Sequence, residues 1–407
     1  MKLQLEKKLS ASFLILLAST MAGFATNVWL GRVLPEAVFG KFKFIQTIVV
    51  TLSSLLLLGQ NVTIIRLLAK KTFARFDWKR FLFRCLLLSA LVGFLLAYAI
   101  SGYYRLGSEL PLIYLALVSS IGVEYFHSVP RARGKYSYAM FISGSFPIFF
   151  LLCIAVAYFL FKGILADFLL YGFALSWLSS FLLAVFSLDK EANGREKVPT
   201  YVIWEGLLIF LITISHILME HLNQFFIVKL LSYPELANWA IVMVVAKGYD
   251  LVATTLMFVF LPMYSEKFKR PLKNDIIRTL IVATAVFLCY AFLGVELLHA
   301  FFKGRYDHYA YLLIYFNIIG FCKILYAVPG AVIGSQSASK YLKLFLIACT
   351  AIILFNIGGN YFLIPVMGLR GAAMIAVFSW ISRLAVSYAI VYRERKEKKL
   401  TTGLNHG

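Results

Sequence analysis

Apolar residues run through this chain in stretches of about twenty, separated by short connections rich in lysine and arginine. The stretches do not alternate polar with apolar, as the roughly ten-residue strands of a membrane barrel would. Backbone polar groups in lipid must be paired within the structure, and a helix does this within one segment. The pattern therefore predicts an all-α polytopic membrane protein with about twelve transmembrane helices. Their expected spans are 9–30, 44–66, 81–100, 111–129, 138–160, 168–187, 207–229, 239–262, 277–298, 310–332, 344–364 and 371–392. The first run, Leu9 to Leu30, is too long for the apolar part of a cleaved signal and predicts a retained helix. Pro147, close to Gly144, predicts a kink in the fifth helix.

Composition agrees with the pattern: 61% of residues are hydrophobic and 14% charged. The net charge of +21 does not point to nucleic acid, because the cations sit in the connections and no basic patch is interleaved with aromatics. Taken alternately, the connections hold 27 Lys and Arg on one side and nine on the other. That asymmetry predicts the first side, with both termini, to be cytoplasmic. Cys85, Cys153, Cys289, Cys322 and Cys349 all lie in apolar runs without CxxC spacing, and predict neither disulfides nor a zinc site. No connection exceeds about twenty residues. The chain has no room for a soluble catalytic domain, and no catalytic residue is expected.

The second half echoes the first. Leu34-Pro-Glu-Ala-Val-Phe-Gly follows the first helix and Tyr233-Pro-Glu-Leu-Ala-Asn-Trp the seventh, 199 positions apart. Lys135 and Lys340 open the fifth and eleventh helices, 205 apart, and Gly163 and Gly368 precede the sixth and twelfth, again 205 apart. Six helices per repeat is an even number, so the halves are parallel repeats, as in secondary transporters. The expected organisation is an N-terminal six-helix lobe (1–190), a cytoplasmic linker (191–206), a C-terminal six-helix lobe (207–392) and a basic tail (393–407), with a central cavity between the lobes.

The junction Gly31-Arg32-Val33-Leu34 with Glu36 and Gly40, the Arg131-Ala-Arg-Gly-Lys-Tyr136 stretch and the late Gly368-Leu-Arg-Gly-Ala-Ala373 together resemble bacterial polysaccharide-export and O-antigen (Wzx-type) flippases. Those belong to the multidrug/oligosaccharidyl-lipid/polysaccharide exporter superfamily. The resemblance covers the whole chain. It implies a flippase of the bacterial inner membrane that turns an undecaprenyl-pyrophosphate-linked oligosaccharide from the cytoplasmic to the periplasmic leaflet. It further implies no cofactor, a possible coupling to a proton or sodium gradient, and polysaccharide polymerase and chain-length proteins as partners. A cation-coupled drug exporter of the same fold stays open. A membrane-embedded glycosyltransferase is disfavoured by the short outer connections. The chain departs from the family at Asn223, where an acidic residue is common, with Glu220 one turn earlier.

Ionisable residues at membrane depth cost about 2.5–3.5 kcal/mol each on insertion scales and mark candidate sites. His216, Glu220 and Asn223 share one face of the seventh helix. The HxxxEH spacing differs from both HExxH and HxxEH, so no metal is expected. Lys247 and Asp250 share a face of the eighth helix, and Glu124 and His127 a face of the fourth. Lys323 and Arg383 lie about twelve residues from the outer surface, or about 18 Å, near the middle of a 30 Å core. Lys247, Lys323, Arg383 and Asn223 are thus the expected substrate contacts, because a pyrophosphate crossing the core needs cations. Glu220, Asp250, Glu124 and His216 are the expected coupling-ion residues.

Overall fold

A computed structural model describes the backbone of residues 2–68, 76–133, 135–160, 165–186, 196–198, 201–266, 272–336 and 339–403. The described residues form helices, apart from one parallel bridge between Phe76 and Glu196. The α-helices are α1 (Lys2–Val33), α2 (Glu36–Leu56), α3 (Gln60–Leu68), α4 (Trp78–Tyr103), α5 (Leu110–Ala132), α6 (Tyr136–Leu160) and α7 (Leu165–Phe186). They continue with α8 (Tyr201–Leu230), α9 (Tyr233–Val245), α10 (Lys247–Glu266), α11 (Leu272–Phe302), α12 (Leu312–Gln336), α13 (Ser339–Met367) and α14 (Leu369–Gly403). Each of the twelve expected runs falls in one helix or in a consecutive pair. Among the described residues ten helices are long and apolar enough to cross a membrane, and the pair α9–α10 forms an eleventh, bent by 51°. The 30-residue α8 covers the remaining run.

Two expected helices are broken rather than continuous. The second divides into α2 and α3 at Leu57–Gly59, where Leu58 (φ +47°) and Gly59 (φ +68°) turn left-handed. Carbonyls freed by such a break must find donors in lipid. Here the Ser89 hydroxyl donates to the Leu56 carbonyl at 2.7 Å, and the Tyr125 hydroxyl lies 3.3 Å from those of Leu56 and Leu57. The eighth divides at Ala246, so that Lys247 and Asp250 fall in the first turn of α10. Neither break has a proline at it, which is why hydrophobic patterning did not reveal them. In contrast α6 runs helical through Pro147, whose ring packs on α1 at Gly23.

The prolines Pro35 and Pro234 do mark helix starts. Pro35 is the N-cap of α2, and Ser232 caps α9 by accepting from the Glu235 backbone N–H. Because α2 begins at Glu36, Lys41 and Lys43 lie inside a helix and not in an outer connection. Lys43 is buried. Its ammonium meets Asn27 and the Gln46 side chain (2.8 Å), with the Phe39 and Phe42 rings 5.5 and 5.9 Å away. The expected linker contributes residues 201–206 to α8, and the basic tail continues α14 as far as Gly403. Gly163 lies outside the described residues.

The chain separates into two compact units, 1–217 and 218–407, with the division inside α8. In the first unit α5 is the central helix, packing on α2, α3, α4, α6 and α7. In the second α12 takes that place, against α9, α10, α11 and α14. Small residues let these central helices approach their neighbours. A Cβ on Gly122 would fall 2.3 Å from the Phe181 ring, and one on Gly320 2.2 Å from the Tyr249 ring. Pro130 of α5 and Pro329 of α12 are also 199 positions apart, a correspondence that strengthens the internal repeat.

Candidate functional site

The second unit gathers most of the mid-membrane charge around one lysine. Lys323 is the twelfth residue of the 25-residue α12, close to mid-length. Its ammonium donates to Glu220 Oε1 of α8 at 2.5 Å and to Asp250 Oδ1 of α10 at 2.7 Å. The break at Ala246 makes this possible, because it turns the start of α10 so that Asp250 meets α12. The Lys323 side chain is 15% exposed, Glu220 28% and Asp250 47%. The cation is therefore covered while its acids remain accessible. The Trp380 ring of α14 lies 5.2 Å from the ammonium, a cation–π distance. Lys247 stands within electrostatic reach of Asp250, Glu220 and Lys323. His221, on α8, meets Gln224 at 3.3 Å and senses the same four charges.

Arg383 forms a second layer. It is 1% exposed. Its guanidinium lies over the rings of Tyr326 (4.9 Å) and Phe345 (5.4 Å), donates to the Tyr326 hydroxyl at 3.1 Å and contacts Met219 Sδ at 3.6 Å. Tyr326 is one turn after Lys323 on α12, and Trp380 one turn before Arg383 on α14. The two cations are thus set side by side through aromatic rings, which cover them without neutralising them.

Asn223 belongs to a different assembly. It is buried, its amide donates to the Ala372 carbonyl at 3.3 Å, and its oxygen accepts from Asn360 at 2.8 Å. Asn360 also meets Asn356 Oδ1 at 2.8 Å, and Asn356 donates to Ser379 at 2.9 Å. This neutral ladder ties α8 to α13 and α14. Buried amides in lipid need such partners. Asn356 and Asn360, spaced i, i+4 in an apolar run, were the visible signal for it.

The other expected residues belong to the first unit. His216 is one turn before Glu220, on the part of α8 that belongs to the first unit. Glu124, 35% exposed on α5, lies 3.8 Å from His127 Nδ1, while His127 also meets the Val123 carbonyl at 3.2 Å. Among the described residues no group of three His, Cys, Asp or Glu is placed to hold a metal ion.

By sequence, no family model and no curated relative matches the chain. Solved structures match it by fold. A lipid II flippase, MurJ, in an inward closed conformation, superposes with a TM-score of 0.71 at 14% identity, over 93% of this chain and 87% of that one. A multidrug resistance MATE family transporter of the MOP superfamily in an inward-facing conformation gives 0.63 at 16% identity, over 95% and 99%. An outward-facing conformation of such a transporter gives 0.65 at 16% identity, over 96% of each chain. The expected fold class is borne out: this is an all-α, multi-pass membrane protein with the same fold as those solved structures.

Proposed function

We propose that the chain is a flippase for a lipid-linked oligosaccharide, moving an undecaprenyl-pyrophosphate-linked repeat unit from the cytoplasmic to the periplasmic leaflet. It works in the bacterial inner membrane with both termini in the cytoplasm, and hands its cargo to a polysaccharide polymerase and chain-length proteins. Transport proceeds by alternating access between the two lobes around a central cavity, which fits a fold solved in both inward- and outward-facing states. The observation that carries the reading is the excess of cation at mid-membrane depth. Lys247, Lys323 and Arg383 gather on three helices of one unit against two carboxylates, Glu220 and Asp250. A pyrophosphate needs such a lining to cross the apolar core. Lys323 and Lys247 are the direct anion contacts. Arg383 supports them from behind Tyr326, and Asn223 acts through the asparagine ladder. The reading is of a transporter, not an enzyme.

An exporter of organic cations would need free carboxylates. Glu220 and Asp250 instead both bind the Lys323 ammonium, which disfavours that alternative. The test is deletion of the gene in a strain with no second flippase. The lipid-linked unit should accumulate in the cytoplasmic leaflet and surface glycan should disappear. The wild-type gene should restore export, and a Lys247→Gln gene should restore it poorly. Unchanged surface glycan, with new sensitivity to cationic drugs, would refute the reading in favour of the exporter.

A further inference from the structure

The bend at Ala246 has no proline, yet it decides where Lys247 and Asp250 stand. The partners that hold it lie on other helices. A helix that starts within the membrane leaves its first N–H groups without a carbonyl one turn back, and lipid offers none. Here the Tyr290 hydroxyl of α11 meets the Gly248 backbone N–H in the first turn of α10. The approach is close: a Cβ on Gly248 would fall 2.1 Å from that hydroxyl oxygen.

Tyr249, the next residue, completes the arrangement. Its ring stacks on that of Tyr290, with centroids 4.8 Å apart and planes at 28°. It also lies against Gly320 of α12, where a Cβ would fall 2.2 Å from the ring. Gly320 is one turn before Lys323, and Asp250 follows Tyr249. The contact that seats Tyr249 on α12 thus stands beside the one that joins Asp250 to Lys323 at 2.7 Å. Tyr249, Ala283 and Ile324 form the buried centre of the apolar packing among α10, α11 and α12. The Tyr249 hydroxyl has no hydrogen-bond partner among the described residues, so the ring carries the contact.

The internal repeat isolates these residues. At the 199-residue offset Gly248, Tyr249, Tyr290 and Gly320 align with Val49, Val50, Leu91 and Ile121. None of the four is kept. Ala246 aligns with Thr47, where α2 runs on unbroken. The first unit breaks instead at Leu57–Gly59, which align with Leu256–Phe258 inside α10. The matching helix therefore breaks at a different level in each unit, and in the second it breaks at the tyrosines.

We propose that Tyr249 and Tyr290 are positioning residues for an anionic cargo: they hold the bend at Ala246 that sets Lys247 and Asp250 beside Lys323. Without them α9 and α10 straighten, the first turn of α10 swings off α12, and Lys247 and Asp250 leave Lys323 together. The anion then loses one of its two direct cationic contacts. This rests on the anionic-cargo reading above and adds to it two uncharged residues on which the placing of the charges depends.

The experiment uses the full-length protein in detergent, with two readouts. Calorimetric titration gives the affinity for farnesyl diphosphate, a soluble prenyl pyrophosphate. Pulsed electron–electron resonance gives the distance between nitroxides carried on genetically encoded residues in place of Pro234 and Val259, one on each arm of the 51° bend. A straight α9–α10 lengthens that distance by about 4 Å. Tyr249→Leu should lengthen it and weaken binding by about tenfold. Tyr290→Phe, which loses only the hydroxyl, should do the same more mildly, by about fivefold. Tyr249→Phe keeps the ring and should match wild type in both. In a Lys247→Gln protein the further loss from Tyr249→Leu should shrink below about twofold, because the tyrosine acts through that lysine. An unchanged distance in Tyr249→Leu, or in Tyr290→Phe should the first not fold, would overturn the proposal and leave the cargo reading standing. So would a changed distance with unchanged affinity, or a loss that adds in full to that of Lys247→Gln. Failure of the unaltered protein to bind the probe would overturn both.

Discussion

Substituting Gly59 by alanine tests whether the break in the second helix is held by close backbone approach. The perturbation has two parts. Gly59 sits at φ +68°, where an L-residue costs about 1–2 kcal/mol. Its new Cβ would also fall 2.1 Å from the Gly206 carbonyl oxygen and 2.8 Å from the Phe210 nitrogen, both on the backbone of α8. A backbone cannot swing aside as a side chain does, so α8 must shift by more than an ångström. Overpacking of this kind costs about 1–3 kcal/mol more. The total is about 2–5 kcal/mol of lost stability. Gly206→Ala supplies the comparison. The three atoms nearest its Cβ would all belong to the Gln60 side-chain amide, the first at 2.0 Å. Gln60 can move, but it then loses its hydrogen bond to the Ile203 carbonyl at 3.2 Å, worth about 1 kcal/mol. Gly102→Ala, with nothing within 4 Å, should be neutral or slightly stabilising. Thermal unfolding of the purified protein in detergent, followed by tryptophan fluorescence, ranks the three. A Gly59→Ala protein as stable as wild type, or more stable than Gly206→Ala, would refute the reasoning.

Three further outcomes are expected. Asn360→Ala removes the donor shared by Asn223 and Asn356 and strands two buried acceptors; it should lower stability by about 2–3 kcal/mol, and an unchanged melting midpoint would deny the ladder its role. Arg105→Gly and Lys303→Gly relieve left-handed residues at φ +58° and +54° on exposed turns, and each should raise stability by about 0.5–1 kcal/mol in the same assay. The Glu109 carboxyl is raised by partial burial, but hydrogen bonds from Lys41 and Ser108 outweigh this and hold it below its ordinary value. A carboxyl lowered in the folded state contributes stability above its unfolded value of about 4.3, and that contribution is lost as pH falls through the folded value. The melting midpoint should therefore decline on acidification below that value, and Lys41→Met should flatten the decline.

Helix number was legible in the chain because lipid enforces one rule, that apolar runs of spanning length be helical, and each run became a helix or a pair. The breaks were not. Leu57–Gly59 and Ala246 are held by tertiary partners, namely Ser89, Tyr125 and the α8 backbone in one case and the packing of α9 and α10 on α12 in the other. A linear pattern does not display such partners. The site divides in the same way. Helical spacing could place Glu220 or Lys247 on a face, but it cannot say that Lys323, 103 residues from Glu220, is the lysine that closes on it. Charge alone also grouped Arg383 with Lys323, whereas the rings of Tyr326 and Phe345 bury Arg383 behind it.

The internal repeat sharpens what is particular about Lys323. At the 199-residue offset that aligns Pro35 with Pro234 and Pro130 with Pro329, Glu124 aligns with Lys323 and His127 with Tyr326. Both members of each pair lie on the central helix of their unit. In the first unit the position holds an acid, 35% exposed and 3.8 Å from a histidine. In the second it holds a base gripped by two acids from neighbouring helices. The two units share the central helix and its proline. A charge required only to pack that helix would have the same sign in both. The reversal places Lys323 outside the demands of the scaffold, and the two acids that close on it have no aligned acid in the first unit: Glu220 aligns with Met21 and Asp250 with Thr51. The lysine and its two carboxylates are therefore an arrangement of the second unit that the aligned positions of the first do not repeat.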